Sequence, residues 1–303
     1  MLSRRDIEKE LGRGVNIFPL IRDNFKENSI NLTASKNAWT MSDGTVYWCG
    51  GSNFTLQDNV SKRKTKTLKK GENCVFYTGT KEHLSKYIIL LPHTTTLIET
   101  SEVIGVANNI GGALHSKVGM VAKGIGHIGT MLGPGFCGHL LVSLHNITDE
   151  VLALKVGTTF VSLSLDYLTT QVIRTSATTS GHVDKFAELN LSIDEDTRNY
   201  LTADWKSNLD GIRERMCDSI EYKDYKKHIR ENTWREARKY FNKRNAVAVT
   251  VLILAFFILL AIATYVDKKA GTTVWTDRFW NVGCSGLVGS FLVGIYNFIK
   301  DKK

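Results

Sequence analysis

Short runs of apolar residues separated by turn residues characterise the first half of the chain. Five β-prone runs occur between residues 30 and 168, and each is bounded by Gly, Asn, Asp or Pro. Repeated short strands of this kind are typical of an all-β barrel or sandwich. The runs are residues 87–91, 94–98, 140–144, 151–154 and 159–165. With a short helix predicted over residues 5–11, the pattern indicates a mainly β domain over residues 1–190.

The pattern becomes helical after this domain. Between Asp194 and Arg244 the sequence has no proline and is dense in Glu, Lys and Arg. Its apolar residues recur at three- and four-residue steps, which is the spacing of one helix face. They are Leu201, Trp205, Leu209, Ile212, Met216, Ile220, Ile229, Trp234, Ala237 and Phe241. We expect an amphipathic helical neck over residues 191–244, interrupted near Gly211 and Asp224. It either packs on the β domain or transmits motion towards the C-terminus.

The C-terminal region is continuously apolar rather than periodic. Residues 246–266 contain no charged side chain, and at about 1.5 Å per residue they would span the roughly 30 Å hydrocarbon layer of a bilayer. A second stretch, residues 282–299, contains glycines and Asn297, with Trp and Tyr residues near its ends as in an aromatic belt. We therefore expect a transmembrane helical hairpin in residues 245–303.

Flanking charge predicts how the hairpin is oriented. Lys and Arg residues precede the first span and follow the second, while the connecting loop has fewer. Because positive flanks stay in the cytoplasm, we expect a two-span protein of the inner or plasma membrane with both termini cytoplasmic. Gly286, Ser290 and Gly294 recur every four residues and would allow close helix packing. This stripe fits either packing within the hairpin or oligomerisation around a pore.

Charge and cysteine content add limits on the chemistry. The formal net charge is +9, but the basic residues accompany loops and membrane flanks without a nucleic-acid recognition motif, so no nucleic-acid partner is expected. The five cysteines are scattered and form neither a CxxC pair nor a Cys/His metal spacing. We therefore expect no metal and no disulfide framework. The polar N-terminus does not resemble a signal peptide.

Five segments of the β domain resemble the dCTP deaminase/dUTPase superfamily. Residues 5–11 with 29–32 resemble the opening of a dCTP deaminase, and residues 117–124 resemble the Arg-Ser-Gly-Leu-Ala motif of dUTPases. Residues 132–138 resemble the Ile-Asp-Pro-Gly-Trp-x-Gly hairpin, and residues 142–146 and 154–157 resemble the strands that follow. The segments occur in order over about residues 1–170. The resemblance implies a dUTPase-like β-barrel that assembles as a trimer or another homo-oligomer, with nucleotide sites between subunits.

The resemblance also identifies where catalytic carboxylates would stand. Hydrolytic deamination needs a carboxylate to move protons between water and the leaving amine. The glutamate position of the deaminases is Ser143 in this chain, and the aspartate position of the dUTPases is Gly133. Both carboxylates are therefore missing, which favours a protein without catalysis.

Residues suited to binding remain. The motif arginine and serine correspond to Lys117 and Val118, so a bidentate phosphate fork becomes a point charge. The predicted nucleotide-binding residues are Ser116, Lys117, Gly119, Lys123 and His127. His127 and His139 can titrate near neutral pH, although a structural role is the commoner one for such histidines.

Together these features predict a membrane-anchored nucleotide sensor or effector with a degenerate deaminase-like domain. Its ligand would be a deoxynucleoside triphosphate or a cyclic nucleotide, and no other cofactor is expected. By analogy with architectures that join a nucleotide-sensing domain to a short membrane bundle, it would act in bacterial antiviral defence. Two alternatives stay open: an active dCTP deaminase or dUTP pyrophosphatase tethered to the membrane, and a membrane adaptor that binds no ligand.

Overall fold

Strands dominate the first half of the chain and helices the second half. The computed structural model describes residues 1–48, 54–56, 64–79, 84–127, 129–173, 180–240, 243–271 and 273. The strands are β1 (Val15–Phe18), β2 (Ile30–Thr40), β3 (Gly44–Trp48), β4 (Phe54–Thr55), β5 (Lys64–Leu68), β6 (Val75–Gly79), β7 (Leu84–Leu90), β8 (Thr94–Val106), β9 (Ile110–Ser116), β10 (Ile125–His127), β11 (Met131–Leu132), β12 (Cys137–Asn146), β13 (Leu152–Lys155) and β14 (Thr159–Tyr167). The helices are α1 (Arg4–Glu10), α2 (Val118–Val121), α3 (Glu195–Leu201), α4 (Leu209–Asp218), α5 (Ile220–Tyr240) and α6 (Lys243–Ala270).

One antiparallel sheet of eight strands organises the β domain. Its path runs β10-β12-β8-β2-β14-β9-β11, and β1 pairs with the end of β8 on the side opposite β12. The sheet curls, so that β10 at one edge also approaches β9 near the other edge. Two small sheets of three strands, β13-β7-β6 and β4-β3-β5, complete the domain. The fold is therefore mainly β, as predicted, with a curled sheet as its framework.

The central strands are covered on both faces. Ile98 of β8 and Val142 of β12 lie in the main hydrophobic core and are 0% exposed. The next residues in the period-two alternation, Leu97 and Leu141, point the other way and pack against a second cluster. That cluster consists of Trp39, Val183, Phe186, Leu191 and Leu201. Residues after the last strand thus fold back over the outer face of β8 and β12.

Helices α1 and α5 are joined by a buried tyrosine. Tyr225 of α5 is 1% exposed, and its ring lies 5.2 Å from that of Phe25 between centroids. Its hydroxyl donates to Glu8 Oε1 at 2.8 Å and accepts from Arg4 Nη2 at 3.4 Å. The start of α5 is therefore part of the first compact unit of the chain, which runs from Met1 to Ile229.

The second compact unit comprises residues 230–303 and contains the end of α5 and all of α6. Residues 246–266, the first predicted span, lie within α6. Residues 282–299, with Gly286, Ser290 and Gly294, lie outside the described residues. In the described part of the chain, none of the helices combines the length and apolar content needed to cross a membrane.

Most predicted elements coincide with observed ones, but the predicted helix interruptions were wrong. Gly211 lies inside α4, where its N–H donates to the side chain of the capping residue Asn208 at 2.6 Å. Asp224 lies inside α5. The helical region is interrupted instead at residues 202–208 and at Ser219, whose extended backbone (φ −66°, ψ 147°) ends α4. Capping side chains, rather than glycine, set these boundaries.

Tyr225→Phe should destabilise the full chain by about 1–2 kcal/mol, because it removes a hydrogen bond to a half-buried carboxylate. Tyr225→Ala should cost about 3–5 kcal/mol, because a cavity is added. Denaturant unfolding measures both changes. Tyr77→Phe, on the exposed side of β6, is the control and should stay within about 0.5 kcal/mol. Equal stability of Tyr225→Phe and Tyr77→Phe would contradict this account.

Candidate functional site

The predicted binding residues fall in one continuous segment, β9–α2–β10. Ser116 ends β9, and Lys117 precedes α2 in an extended conformation (φ −83°, ψ 135°). Gly119 lies in α2, and Lys123 follows the helix on the surface. His127 ends β10, where it pairs with Leu144 of β12. His127 is therefore placed beside β12, whereas Ser116 pairs with Val161 of β14.

Lys117 is the central charged group of this segment. Its half-buried side chain donates from Nζ to Thr159 Oγ1 on β14 at 2.8 Å. Burial lowers the pKa of Lys117, and the nearby ammonium of Lys26 lowers it further. A half-buried cation with a second cation nearby forms a local environment in which a bound anion would be stabilised.

Three glycines leave open space around the segment. At Gly119, Gly126 and Gly133, a Cβ atom would meet no other atom within 4 Å. None of the three has a positive φ. Packing against the described residues therefore does not require glycine at these positions, and those residues leave the space beside them open.

Other glycines nearby have structural roles. Gly124 has φ +78°, and a Cβ there would lie 2.2 Å from the Thr148 side chain. Gly138 has φ +142°, and a Cβ would lie 2.5 Å from Ser180 Cα. These two residues shape the turn after α2 and the contact between β12 and residue 180. Only the open glycines are candidates for ligand contact.

The two positions expected to carry carboxylates lie on different elements. Gly133 is exposed in the turn between β11 and β12. The Phe136 N–H closes this turn by donating to the Gly133 carbonyl at 3.2 Å. Ser143 lies in β12 opposite Leu97 of β8, on the face turned away from the core. Its side chain is half-buried. The face beside it carries other polar groups.

His145 is the polar group that the sequence analysis missed. It follows Ser143 by two residues and therefore shares its face of β12. Its cross-strand partners are Thr95 of β8 and Gly126 of β10. Thr95 Oγ1 lies 3.4 Å from His145 Nδ1, while Gly126 leaves open space on the other side. The alternation of strand residues could have indicated His145, but its neighbours depend on the pairing of three strands.

A carboxylate on the same face is Glu99, which pairs with Leu141. It is 0% exposed, and burial raises its pKa well above the usual value. A second acid of β8, Glu102, accepts from the N–H and hydroxyl of Thr33 at 2.9 and 2.8 Å. Burial raises the pKa of Glu102 as well, against the effect of those two bonds. Glu102 therefore holds β2 against β8, and neither acid is open to a ligand.

His139 does not face a ligand either. It is 1% exposed, its Nδ1 lies 2.9 Å from the Thr100 carbonyl oxygen, and burial followed by the charge of Lys206 lowers its pKa to about 3. It is thus a neutral, structural histidine. Throughout the described ranges, no group of three or more His, Cys, Asp or Glu residues could hold a metal ion.

Comparison with known proteins places the fold in a family. Residues 1–167 match the family model described as dCTP deaminase-like. A comparison with curated proteins finds no match.

Several solved structures are similar at low identity. The 2'-deoxycytidine 5'-triphosphate deaminase from Agrobacterium tumefaciens is 11% identical, with a TM-score of 0.37, and the alignment covers 55% of this chain and 47% of that one. This chain therefore spans about half the length of that deaminase. The EIAV dUTPase is 20% identical, covering 34% and 90% of the two chains, with a TM-score of 0.26. A mutant dUTPase of Staphylococcus bacteriophage 80alpha with dUpNHpp is 14% identical, covering 32% and 78%, with a TM-score of 0.26.

Gly138→Ala and Gly126→Ala should differ sharply in stability, although the two glycines lie on adjacent strands. Gly138→Ala introduces a strained backbone and a clash with Ser180, which should cost about 1–3 kcal/mol or more. Gly126→Ala meets no atom and should stay within about 0.5 kcal/mol of the parent. Thermal unfolding of both variants measures this. Similar losses in both would show that the surface at Gly126 is not open.

Proposed function

Because the chain belongs to the dCTP deaminase-like family, we propose that its β domain binds a nucleotide at β9–α2–β10 without hydrolysing it. The observation that carries the proposal is Lys117, a half-buried cation beside a second cation, in a segment bordered by open glycines. A nucleotide-related function follows from the family. The loss of catalysis is our inference from Ser143 and Gly133.

Phosphate would be held chiefly by charge. Lys117 is a compact cation with rotatable donors and meets a phosphate as a point charge, not as a planar fork. A phosphate between Lys117 and Lys26 would offset the repulsion that lowers the pKa of Lys117. The exposed Lys123 adds positive charge to the same segment. Binding should therefore weaken as salt rises.

The base would lie at the edge formed by β10 and β12. Gly126 leaves room there, and His145 offers a ring nitrogen on the same face. Ser143 provides a hydroxyl in place of the family's carboxylate. A hydroxyl can hydrogen-bond a base but cannot take a proton from water near neutral pH without a partner base. The site is thus suited to recognition.

A homo-oligomer with sites between subunits fits the exposed apolar residues around the segment. Val118 and Met131 are both 85% exposed, and Ile147 is 62% exposed. Ile147 is tied to the turn after α2 through its N–H, which donates to the Gly124 carbonyl at 3.0 Å. A second copy covering these side chains would remove apolar surface from water. It would also enclose the ligand.

Lys117→Ala should reduce nucleotide affinity at least about tenfold, or 1.4 kcal/mol. The parent chain is first tested by thermal shift against deoxynucleoside triphosphates and cyclic dinucleotides. A ligand at about 100 times its Kd should add about 2.7 kcal/mol of stability. Lys155→Ala, an exposed lysine of β13, is the matched control and should bind like the parent. If no nucleotide stabilises the parent chain, the result contradicts the proposal and favours the alternative of an adaptor that binds no ligand.

An active hydrolase is the second candidate function, and His145 is the observation that favours it. Its imidazole shares a face with Ser143 and could take a proton from water in place of the missing carboxylate. Turnover of dCTP or dUTP by the parent chain, abolished in His145→Gln with binding retained, would establish this candidate. Nucleotide binding without turnover supports the degenerate site.

We further propose that α6 anchors the protein in a membrane and forms the output of a defence effector. Support comes from the uncharged residues 246–266 within this one continuous helix. The full chain should remain with membranes after an alkaline carbonate wash, whereas a chain ending at Tyr240 should be released. Trp234→Ala, outside the apolar stretch, is the control. Release of the full chain would contradict anchoring.

The stripe Gly286, Ser290 and Gly294 is proposed to pack membrane helices together, within the hairpin or between copies. If the stripe assembles a pore, Gly286→Leu or Gly294→Leu alone should abolish leakage from vesicles, because the added side chain keeps the helices apart, while nucleotide binding persists. Ser290→Ala keeps the residue small and is the matched control, which should leak like the parent. Unchanged leakage in the leucine variants would argue against assembly through this face.

A further inference from the structure

Residues 180–206, called the strap here, cover the outer face of β8 and β12. The Trp39 indole N–H donates to the Ser192 carbonyl at 2.8 Å, and the ring of Phe186 lies 4.8 Å from that of Trp39. Val183 and Leu201 are buried in the same cluster. The strap covers this face as far as Leu141. Ser143, the next residue on the face, is half-exposed. The covered surface is thus continuous with the candidate site.

A carboxylate without hydrogen bonds lies beneath the strap. Glu99 is 0% exposed, and neither of its oxygens has a hydrogen-bond partner among the described residues. Gly181 of the strap, at φ +65°, stands directly against it, since a Cβ there would lie 2.1 Å from Glu99 Oε1. The adjacent His182 also has a positive φ, 53°. The strap therefore closes on Glu99 through a strained turn that any side chain at position 181 would obstruct.

The groups that face Glu99 come from β2 and from the strap. Asn37 of β2 and Lys206 of the strap both favour the charged form of Glu99. The Asn37 contact falls short of hydrogen-bond geometry. Lys206 is 2% exposed; its Nζ lies 3.1 Å from His139 Nε2 and 3.3 Å from the centre of the Tyr200 ring. Burial lowers the pKa of Lys206 to about 8, and Glu99 partly opposes this. Burial remains the larger effect on Glu99 and raises its pKa.

We propose that the strap is a pH-dependent gate, closed while Glu99 keeps its proton and released when Glu99 ionises. Release would let water solvate the carboxylate and would uncover the face that leads to Ser143 and His145. A buried carboxylate with no hydrogen bond cannot stay charged cheaply, so ionisation favours the open form. Opening of the gate does not require a nucleotide. In the chain, the strap precedes the helices α4 to α6.

The sign of the pH effect follows from the direction of each shift. The pKa of Glu99 is raised in the closed form, so its contribution to closure is complete below its unperturbed pKa and is lost as pH rises through the raised value. His139 and Lys206, whose pKa values are lowered, act in the opposite direction and favour closure at higher pH. His182, whose pKa burial also lowers, acts with them. Glu99→Gln removes the first contribution and leaves the others.

Hydrogen–deuterium exchange of the full chain, from about pH 5 to about pH 9 with intrinsic rates corrected, tests the gate. The reporters are strap amides that bond within the strap, at Phe186, Leu189 and Leu191. Divided by the protection in Glu99→Gln, the protection in the parent chain should fall by about tenfold per pH unit between the unperturbed and the raised pKa of Glu99, and should level off above the raised value. In Glu99→Gln itself protection should not fall, because only the opposing groups remain. Glu188→Gln, an exposed strap variant, is the control and should follow the parent.

Amides of β9 report whether each variant is folded, because they belong to the main sheet. Gly181→Ala should lower strap protection at every pH while β9 stays protected. Parent protection that rises steadily with pH shows only the opposing effect of His139, Lys206 and His182 and overturns the proposal, even if Glu99→Gln fails to fold. The same fall in Glu99→Gln as in the parent, with β9 protected, overturns it as well.

Discussion

Pairing between β8 and β12 is the interaction on which the rest of the structure depends. It directs Ile98 and Val142 into the core and Leu97 and Leu141 outwards. One end of the outer face is covered by the strap, and the other end joins β10 at the candidate site. Because side chains alternate strictly along a strand, a register shift of one residue would exchange the two faces. The core, the strap and the site would then be lost together.

Two titratable groups, Lys117 and Glu99, illustrate opposite electrostatic arrangements. Lys117 is half-buried beside another cation, an arrangement that an incoming phosphate would relieve. Glu99 is fully buried and has no hydrogen bond to the described residues, an arrangement that protonation or exposure to water would relieve. Both arrangements have an electrostatic cost. In both cases the unfavourable energy indicates where a ligand or a conformational change could act.

The helical region that follows the strap stays in contact with the β domain up to the start of α5. Helix α5 starts on α1, where the buried Tyr225 hydroxyl bonds to Glu8, and the first compact unit extends as far as Ile229. The strap and the start of α5 therefore belong to the same compact unit. Membrane anchoring by α6 is part of the proposed function. In chain order the strap is followed by α4, α5 and α6.

The sequence by itself determined the elements whose signals are local. The strand runs, the opening helix and the ordered motifs over the first half of the chain appear as predicted, and the family is confirmed over residues 1–167. The segment containing Lys117 was found in the same way, because its residues are neighbours in sequence. The two-span anchor and the nucleotide remain predictions.

Tertiary structure alone decided which distant residues share a surface. His145 lies between Thr95 and Gly126 because the pairing of three strands brings them beside it. Glu99 is a covered acid because Gly181, 82 residues further along the chain, folds over it. Periodicity records which face a residue occupies but not what covers that face. The cover depends on long-range packing, which a single sequence does not display.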